Sequence, residues 1–131
     1  MEELRKKGVE YISNRVIQEN DAVMFDIDDT LIRVDKQPIV PMIKLLDEAI
    51  FMGYNIVIIT ARPGFKPVIQ WTMEELAEYG ISYDYLGFTS AETKGLMKQQ
   101  LPYNFVLSVG DLYTDLTDSQ HFLNTSNFYH N

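Results

Sequence analysis

One segment constrains the fold of this chain more than any other: residues 22–32 read Ala-Val-Met-Phe-Asp-Ile-Asp-Asp-Thr-Leu-Ile. The four apolar residues predict a buried strand, and two carboxylates, Asp26 and Asp28, follow where that strand ends. Open α/β sheets bind ligands at the carboxyl ends of their strands. Two carboxylates this close would repel each other unless a cation or a proton eases the crowding. The segment therefore predicts a charged site at the edge of an α/β sheet.

The rest of the chain alternates strand and helix patterns. Strands are predicted at 22–25, 55–59, 83–86 and 105–109, with an ambiguous tail at 122–131 that could add an edge strand. Helices are predicted at 2–18, 42–52, 67–79 and 90–100. Strands that alternate with helices favour a mainly parallel sheet in a three-layer α/β/α sandwich. We expect residues 1–131 to form a single domain, with the helix within 1–20 packed on its core.

Composition narrows the class of protein. The 131 residues, 46% of them hydrophobic, suffice for one domain with a real core. There is no cysteine, hence no disulfide and no thiolate ligand, which suits a reducing compartment. The sequence shows neither a secretory signal nor an apolar run of the ~18 residues that a membrane span needs. We therefore expect a cytoplasmic protein that binds no membrane. The net charge of −8 leaves nucleic acid as a partner that is not favoured.

Further polar residues follow the other strand ends, where a parallel sheet would bring them to the same edge. They are Thr60, Lys94, Asp111 and Asp115. In this set Asp26 can act as a nucleophile that forms an aspartyl-phosphate. Asp28 can protonate the leaving oxygen and later deprotonate water.

Mg²⁺ is the cofactor that such a set predicts, because it prefers oxygen ligands and would offset the repulsion between a carboxylate and a phosphate. Asp26 and Asp111 can supply two of these oxygens. Asp115 can help directly or through water, and the backbone carbonyl of Asp28 can add another. A phosphoryl group would be held by separate residues: Thr60, Lys94 and the backbone N–H groups near Ile27, Asp28 and Ala61.

Taken in order, these motifs resemble those of the haloacid dehalogenase superfamily. They are Asp-Ile-Asp-Asp-Thr at 26–30, Ile-Ile-Thr-Ala-Arg at 58–62, Lys94, and Gly-Asp-Leu-Tyr-Thr-Asp at 110–115. The resemblance implies a Rossmann-like sheet and a Mg²⁺-dependent phosphatase that works through a phospho-aspartate. By motif position, Asp26 matches the nucleophile and Asp28 the acid/base. Thr60 and Lys94 match the phosphate binders, and Asp111 with Asp115 the metal site.

Finer features resemble two branches of that superfamily. Thr72-Met-Glu-Glu-Leu and Asp111-Leu-Tyr-Thr-Asp-Leu look like the acid phosphatase branch, and Met52-Gly-Tyr-Asn-Ile-Val looks like the phosphatase domain of polynucleotide kinase-phosphatases. The intervals between the motifs hold a helix and a strand each and leave no room for a cap domain. The resemblance implies a phosphomonoester as substrate, small or macromolecular, with a polynucleotide 3′-phosphatase or a nucleotide phosphatase as the alternative.

Several alternatives remain open at this stage. Lys98 rivals Lys94 as phosphate binder, although Lys94 is nearer the start of its helix. Four basic residues that follow strand ends could form a positive rim or be ordinary surface charges: Arg33, Lys36, Arg62 and Lys66. A phospho-accepting receiver domain and an inactive binding domain are the competing classes. The chain could also act as an oligomer.

Overall fold

The computed structural model describes residues 1–128 and forms alternating strands and helices. The elements are α1 (Glu2–Ser13), β1 (Asp21–Phe25), α2 (Val40–Met52), β2 (Asn55–Thr60), α3 (Lys66–Glu78), β3 (Tyr85–Phe88), α4 (Lys94–Gln100), β4 (Asn104–Gly110), α5 (Tyr113–Leu116) and β5 (His121–Asn124). Short 3₁₀ turns occupy Ala91–Thr93 and Thr125–Phe128.

All five strands run parallel, in the order β3-β2-β1-β4-β5. This confirms the predicted α/β class with its parallel, Rossmann-like sheet. The ambiguous tail does supply an edge strand, since β5 pairs with β4 from His121 to Asn124; residues 129–131 lie outside the described part. The chain passes from one side of β1 to the other after β3, so the strand order reverses between β1 and β4. Ligands bind at such a point in open α/β sheets.

Alternate residues of β1 face opposite layers, as a strand's period of two requires. Val23 and Phe25 belong to the larger apolar cluster, which includes residues of α1, α2 and α3. Ala22 and Met24 belong to a smaller cluster that packs with Met97 of α4. The sheet is therefore covered on both faces. This explains why its central strands read as continuous apolar runs.

Some element boundaries differ from the sequence-based prediction. The helix predicted at 2–18 ends at Ser13, because the next residues turn back to satisfy the buried Asp21. Arg15 pairs with the Asp21 carboxylate at 2.7 Å, and the N–H of Gln18 donates to it at 2.8 Å. The third strand begins at Tyr85 rather than at 83, since Asp84 is used to accept the N–H of Ile56 at 2.8 Å. The helix predicted at 90–100 is a 3₁₀ turn followed by α4.

The loops after β2, β3 and β4 are short, and residues 26–39 form a longer connection between β1 and α2. Within residues 1–128 none of them carries an inserted domain, which agrees with the expected lack of a cap. The same described part contains no helix that is long and apolar enough to cross a membrane.

Candidate active site

Asp26 is the first residue after β1 and lies almost entirely buried, 5% exposed. Its N–H donates to the carbonyl of Val109 at 3.0 Å, which holds it beside the end of β4. Its carboxylate accepts from the Lys94 ammonium at 2.8 Å. Burial raises the pKa of Asp26 well above its usual range, and the Lys94 charge offsets only part of that effect. A buried carboxylate in contact with one ammonium is thus fixed at the strand-order reversal.

Lys94 begins α4 and bridges two carboxylates. Its Nζ lies 2.6 Å from Oδ1 of Asp115 as well as 2.8 Å from Asp26. Burial by itself would lower the pKa of Lys94, but the two carboxylates more than reverse this, and the pKa is raised. Asp115 reaches this position because residue 110 is glycine: a Cβ there would lie 2.3 Å from the Asp115 Cβ. Any side chain at 110 would displace Asp115.

Asp111 completes an acidic cluster with Asp26 and Asp115. Carboxylate oxygens of the three residues lie within 4.8 Å of one another. Burial raises the pKa of Asp111, and the negative charge of Asp115 adds to this. Three carboxylates with one ammonium retain an excess of negative charge, so the cluster suits a divalent cation.

The remaining lone pairs indicate which oxygens could hold such a cation. Both oxygens of Asp115 already have donors, Lys94 at Oδ1 and the N–H of Leu112 at Oδ2, at 3.0 Å. Asp26 has one oxygen engaged by Lys94, and Asp111 is half-buried at the rim of the cleft. The donor set therefore fits a cation held by Asp26 and Asp111, with Asp115 acting through water. The Asp28 side chain lies outside the acidic cluster, so of its atoms only the backbone carbonyl is a candidate ligand.

Asp28 points into the same cleft but has different surroundings. Its side chain is 49% exposed. Arg62 donates a hydrogen bond to each of its oxygens, from Nε to Oδ2 at 3.1 Å and from Nη2 to Oδ1 at 2.8 Å. The structure thus separates the two aspartates of the first motif. Asp26 is buried and contacts Lys94, whereas Asp28 is exposed to solvent and contacts the guanidinium of Arg62.

The residues predicted to bind phosphate lie around this cleft. Ala61 lines it, whereas the side chain of Thr60 is fully buried beneath, where its Oγ1 accepts the N–H of Arg62 at 3.1 Å. In the described part of the chain, the N–H groups of Ile27, Asp28 and Ala61 donate to no protein acceptor, although the Ile27 carbonyl accepts three N–H groups. The amides of Asp28 and Ala61 belong to residues that line the cleft and are available to an anion, whereas Ile27 is fully buried and does not line the cleft.

The cleft itself has a volume of about 250 Å³. Its walls are formed by Asp26, Asp28, Asp29, Ala61, Arg62, Lys94, Asp111 and Leu112. A larger cavity of about 340 Å³ lies at the far end of α4 and contains Lys98 but none of the predicted acidic residues. We place the chemistry in the smaller cleft because it holds the reactive groups.

The four basic residues that follow strand ends do not form a positive rim around the cleft. Of the four, only Arg62 lines the cleft. Arg33 pairs with Asp35 at 3.3 Å, and Lys36 lies 3.4 Å from Glu75 and 4.5 Å from the centre of the Trp71 ring. Acidic neighbours therefore neutralise these cations. The reading of Arg62 as a surface charge is also wrong, since its side chain is only 8% exposed.

Lys98 is buried as well, but it faces away from the carboxylates. Its ammonium donates to Ser108 Oγ at 3.0 Å and to the carbonyls of Asp115 and Thr117, both at 2.6 Å. These carbonyls belong to the end of α5, where helix carbonyls lack partners. Lys98 thus secures the segment that carries Asp115.

Sequence reasoning quoted Thr72 and Glu75 within a resemblance but missed that they hold Arg62. Thr72 and Glu75 of α3 are buried and bond its guanidinium at 3.2 Å and 2.8 Å. They lie three residues apart, so they share a helix face with the buried Leu76. A polar pair on the apolar face of a helix was the signal that could have revealed them.

No protein-family model and no curated protein matches the chain. Among solved structures, a chain of the Pnkp1/Rnl/Hen1 complex is similar to 78% of this chain, with a TM-score of 0.62 and 19% sequence identity. The similarity covers 42% of that chain, so this protein spans less than half of its length. At this identity the likeness concerns the fold.

Proposed function

We propose that this protein is a Mg²⁺-dependent phosphatase of the haloacid dehalogenase type that hydrolyses a phosphomonoester through an aspartyl-phosphate on Asp26. The observation that carries the proposal is the buried Asp26, held between Lys94 and two further carboxylates at the floor of an open cleft. Asp28 stands in the same cleft with a solvent-accessible carboxylate. A nucleophile and a separate acid/base group are the pair that this reaction needs.

Each residue then has a defined task. An Asp26 oxygen bonds to phosphorus while the bond to the leaving oxygen breaks, and Asp28 gives that oxygen its proton. Asp28 next takes a proton from water, whose oxygen attacks the phosphorus and releases phosphate and free Asp26. Lys94 and the amides of Asp28 and Ala61 hold the charge on the phosphoryl oxygens. Mg²⁺, held by Asp26 and Asp111, would offset the repulsion between carboxylate and phosphate.

The sheet order argues against the receiver alternative. Receiver domains have the flavodoxin-like order 2-1-3-4-5, whereas this sheet has 3-2-1-4-5. An inactive binding domain remains a competing hypothesis, which the experiment below addresses. The finer alternative, a nucleotide or a polynucleotide 3′ end as substrate, draws its support from the fold likeness to a chain of the Pnkp1 complex. A 3′-phosphorylated oligonucleotide assayed beside an aryl phosphate tests it.

The decisive experiment measures phosphate release with Mg²⁺ and with excess EDTA. We expect turnover of an aryl phosphate by the wild type, which EDTA abolishes and added Mg²⁺ restores. Asp26→Asn keeps the shape of the side chain but removes the anionic nucleophile, so turnover should be lost. Asp47→Asn, which changes an exposed carboxylate on α2, is the matched control and should remain active. Full activity of Asp26→Asn, or of the EDTA-treated protein, would refute the proposal.

A further inference from the structure

We propose that Arg62 is a positioning residue that orients Asp28 for proton transfer, and that Thr72 and Glu75 of α3 hold Arg62 in place. The inference rests on the proposed function, since it assigns Asp28 the acid/base role. It differs from the expectation that a cation at the cleft would bind the phosphoryl group or form part of a positive rim.

The contact between Arg62 and Asp28 is bidentate. Nε and Nη2 of the guanidinium each approach a different oxygen of Asp28, at 3.1 Å and 2.8 Å. A planar fork of this kind fixes the rotation of the carboxylate as well as its position. Because half of the Asp28 side chain is exposed, little else within the protein could fix that orientation.

Arg62 is itself fixed by α3. Its Nη1 donates to Thr72 Oγ1 at 3.2 Å, and its Nη2 also reaches Glu75 Oε1 at 2.8 Å. The guanidinium carbon lies 4.9 Å from the centre of the Trp71 ring. Glu75 is nearly buried and is approached by Lys36 at 3.4 Å. If the guanidinium moved, the buried Glu75 would lose its contact at 2.8 Å and keep the longer one to Lys36.

This arrangement is poorly suited to binding phosphate. Four of the five guanidinium N–H groups donate within the protein, two to Asp28 and one each to Glu75 and Thr72. Asp28, in contrast, keeps capacity for chemistry. A carboxylate offers about four lone-pair sites, and Arg62 takes one on each oxygen. The remaining lone pairs can carry the proton that passes to the leaving oxygen and, later, the proton taken from water.

The test compares substrates that differ in their need for an acid. An alkyl phosphate needs its leaving oxygen protonated, while an aryl phosphate with a good leaving group needs this much less. Asp28→Asn should therefore slow the alkyl phosphate far more than the aryl one. Arg62→Ala should do the same, with a loss on the alkyl phosphate of about 10²-fold, as expected when a reacting group is misplaced by about 1 Å. Arg62→Lys, which keeps the charge but not the fork, should fall between Arg62→Ala and the wild type.

Two further comparisons make the test specific. The double variant Asp28→Asn/Arg62→Ala should be no slower than Asp28→Asn alone, because Arg62 acts through Asp28. Arg33→Ala removes an exposed arginine that pairs with Asp35 outside the cleft, and both substrates should be turned over normally. If Arg62→Ala does not fold, Thr72→Val and Glu75→Gln weaken the hold on Arg62 and should give the same substrate bias at smaller size.

The outcomes separate this inference from the proposed function. Equal losses on the two substrates, fully additive losses in the double variant, or no loss at all would overturn the positioning role while leaving the phosphatase intact. A wild type that turns over neither substrate would overturn the function, and with it the role of Asp28. A double-mutant cycle on the free energy of unfolding, with the same variants, reports on the Arg62–Asp28 contact without an activity assay. Additive losses in that cycle would show that the contact does not stabilise the protein.

Discussion

Two lysines one turn apart on α4 are both buried, yet their surroundings are opposite. Lys94, 1% exposed, lies between the carboxylates of Asp26 and Asp115. Lys98, 2% exposed, donates to a hydroxyl and two carbonyls. Burial lowers the pKa of Lys98 to about 8, because the nearby carboxylates offset only part of the effect of burial. Lys94 thus lines the cleft at one end of the helix, and Lys98 bonds backbone carbonyls at the other. Burial alone therefore does not distinguish the two lysines, whereas the charge of their partners does.

The largest expected effect distinguishes the two lysines by turnover. Lys94→Met removes a cation from the proposed phosphoryl site, and the loss of one such group typically costs about 10²–10³-fold in kcat. Lys98→Met should cost less than about 10-fold, because it acts only through the segment that holds Asp115. Steady-state kinetics with an aryl phosphate measures both. If Lys98→Met were the more damaging variant while both remained folded, the assignment of roles would be reversed.

The second prediction uses the metal to sharpen the contrast. Mg²⁺ should stabilise the wild type against urea by about 2.7 kcal/mol at a concentration 100 times its Kd. Lys98→Met should keep this stabilisation, because Lys98 contacts no carboxylate of the cluster. Lys94→Met should keep it as well, because loss of the ammonium leaves the carboxylates more negative and Mg²⁺ can still neutralise them. Asp111→Asn should lose most of it. Unfolding curves with Mg²⁺ and with EDTA decide, and an undiminished effect in Asp111→Asn would contradict the proposed ligand set.

The third prediction concerns stability without metal. Lys98→Met leaves the Ser108 hydroxyl and two carbonyls without their donor, which should lower the free energy of unfolding by about 1–3 kcal/mol. Lys44→Met, an exposed lysine on α2, is the control and should change it little. Equal stability of Lys98→Met and Lys44→Met would show that Lys98 does not secure the end of α5.

How far the sequence could lead differs for the two ends of α4. The alternation of apolar strands with helices predicted the parallel sheet, and Asp26, Thr60 and Asp111 at the strand ends predicted the edge where polar groups meet. The surroundings of Lys98 were not predictable. They depend on the turn after α5, and no local signal says which carbonyls that turn presents. The neutralised rim was missed for the same reason, since Glu75 approaches Lys36 only through the packing of α3 against the loop after β1.

The smallest expected effect is a pH dependence that belongs to Lys98 alone. Its pKa is about 8 in the folded protein and has an ordinary value of 10.5, so between these values the unfolded chain binds more protons than the folded one. The free energy of unfolding should therefore rise with pH across this window. Lys94 has a raised pKa, so its stabilising charge persists throughout and is lost only above 10.5. From pH 7 to about 8.7, the wild type should gain about 1 kcal/mol over Lys98→Met. The difference between the wild type and Lys44→Met should stay constant in the same urea titrations. A difference for Lys98→Met that shrinks or stays level as pH rises would show that its three acceptors keep the ammonium charged, and the electrostatic contrast between the two lysines would then fail.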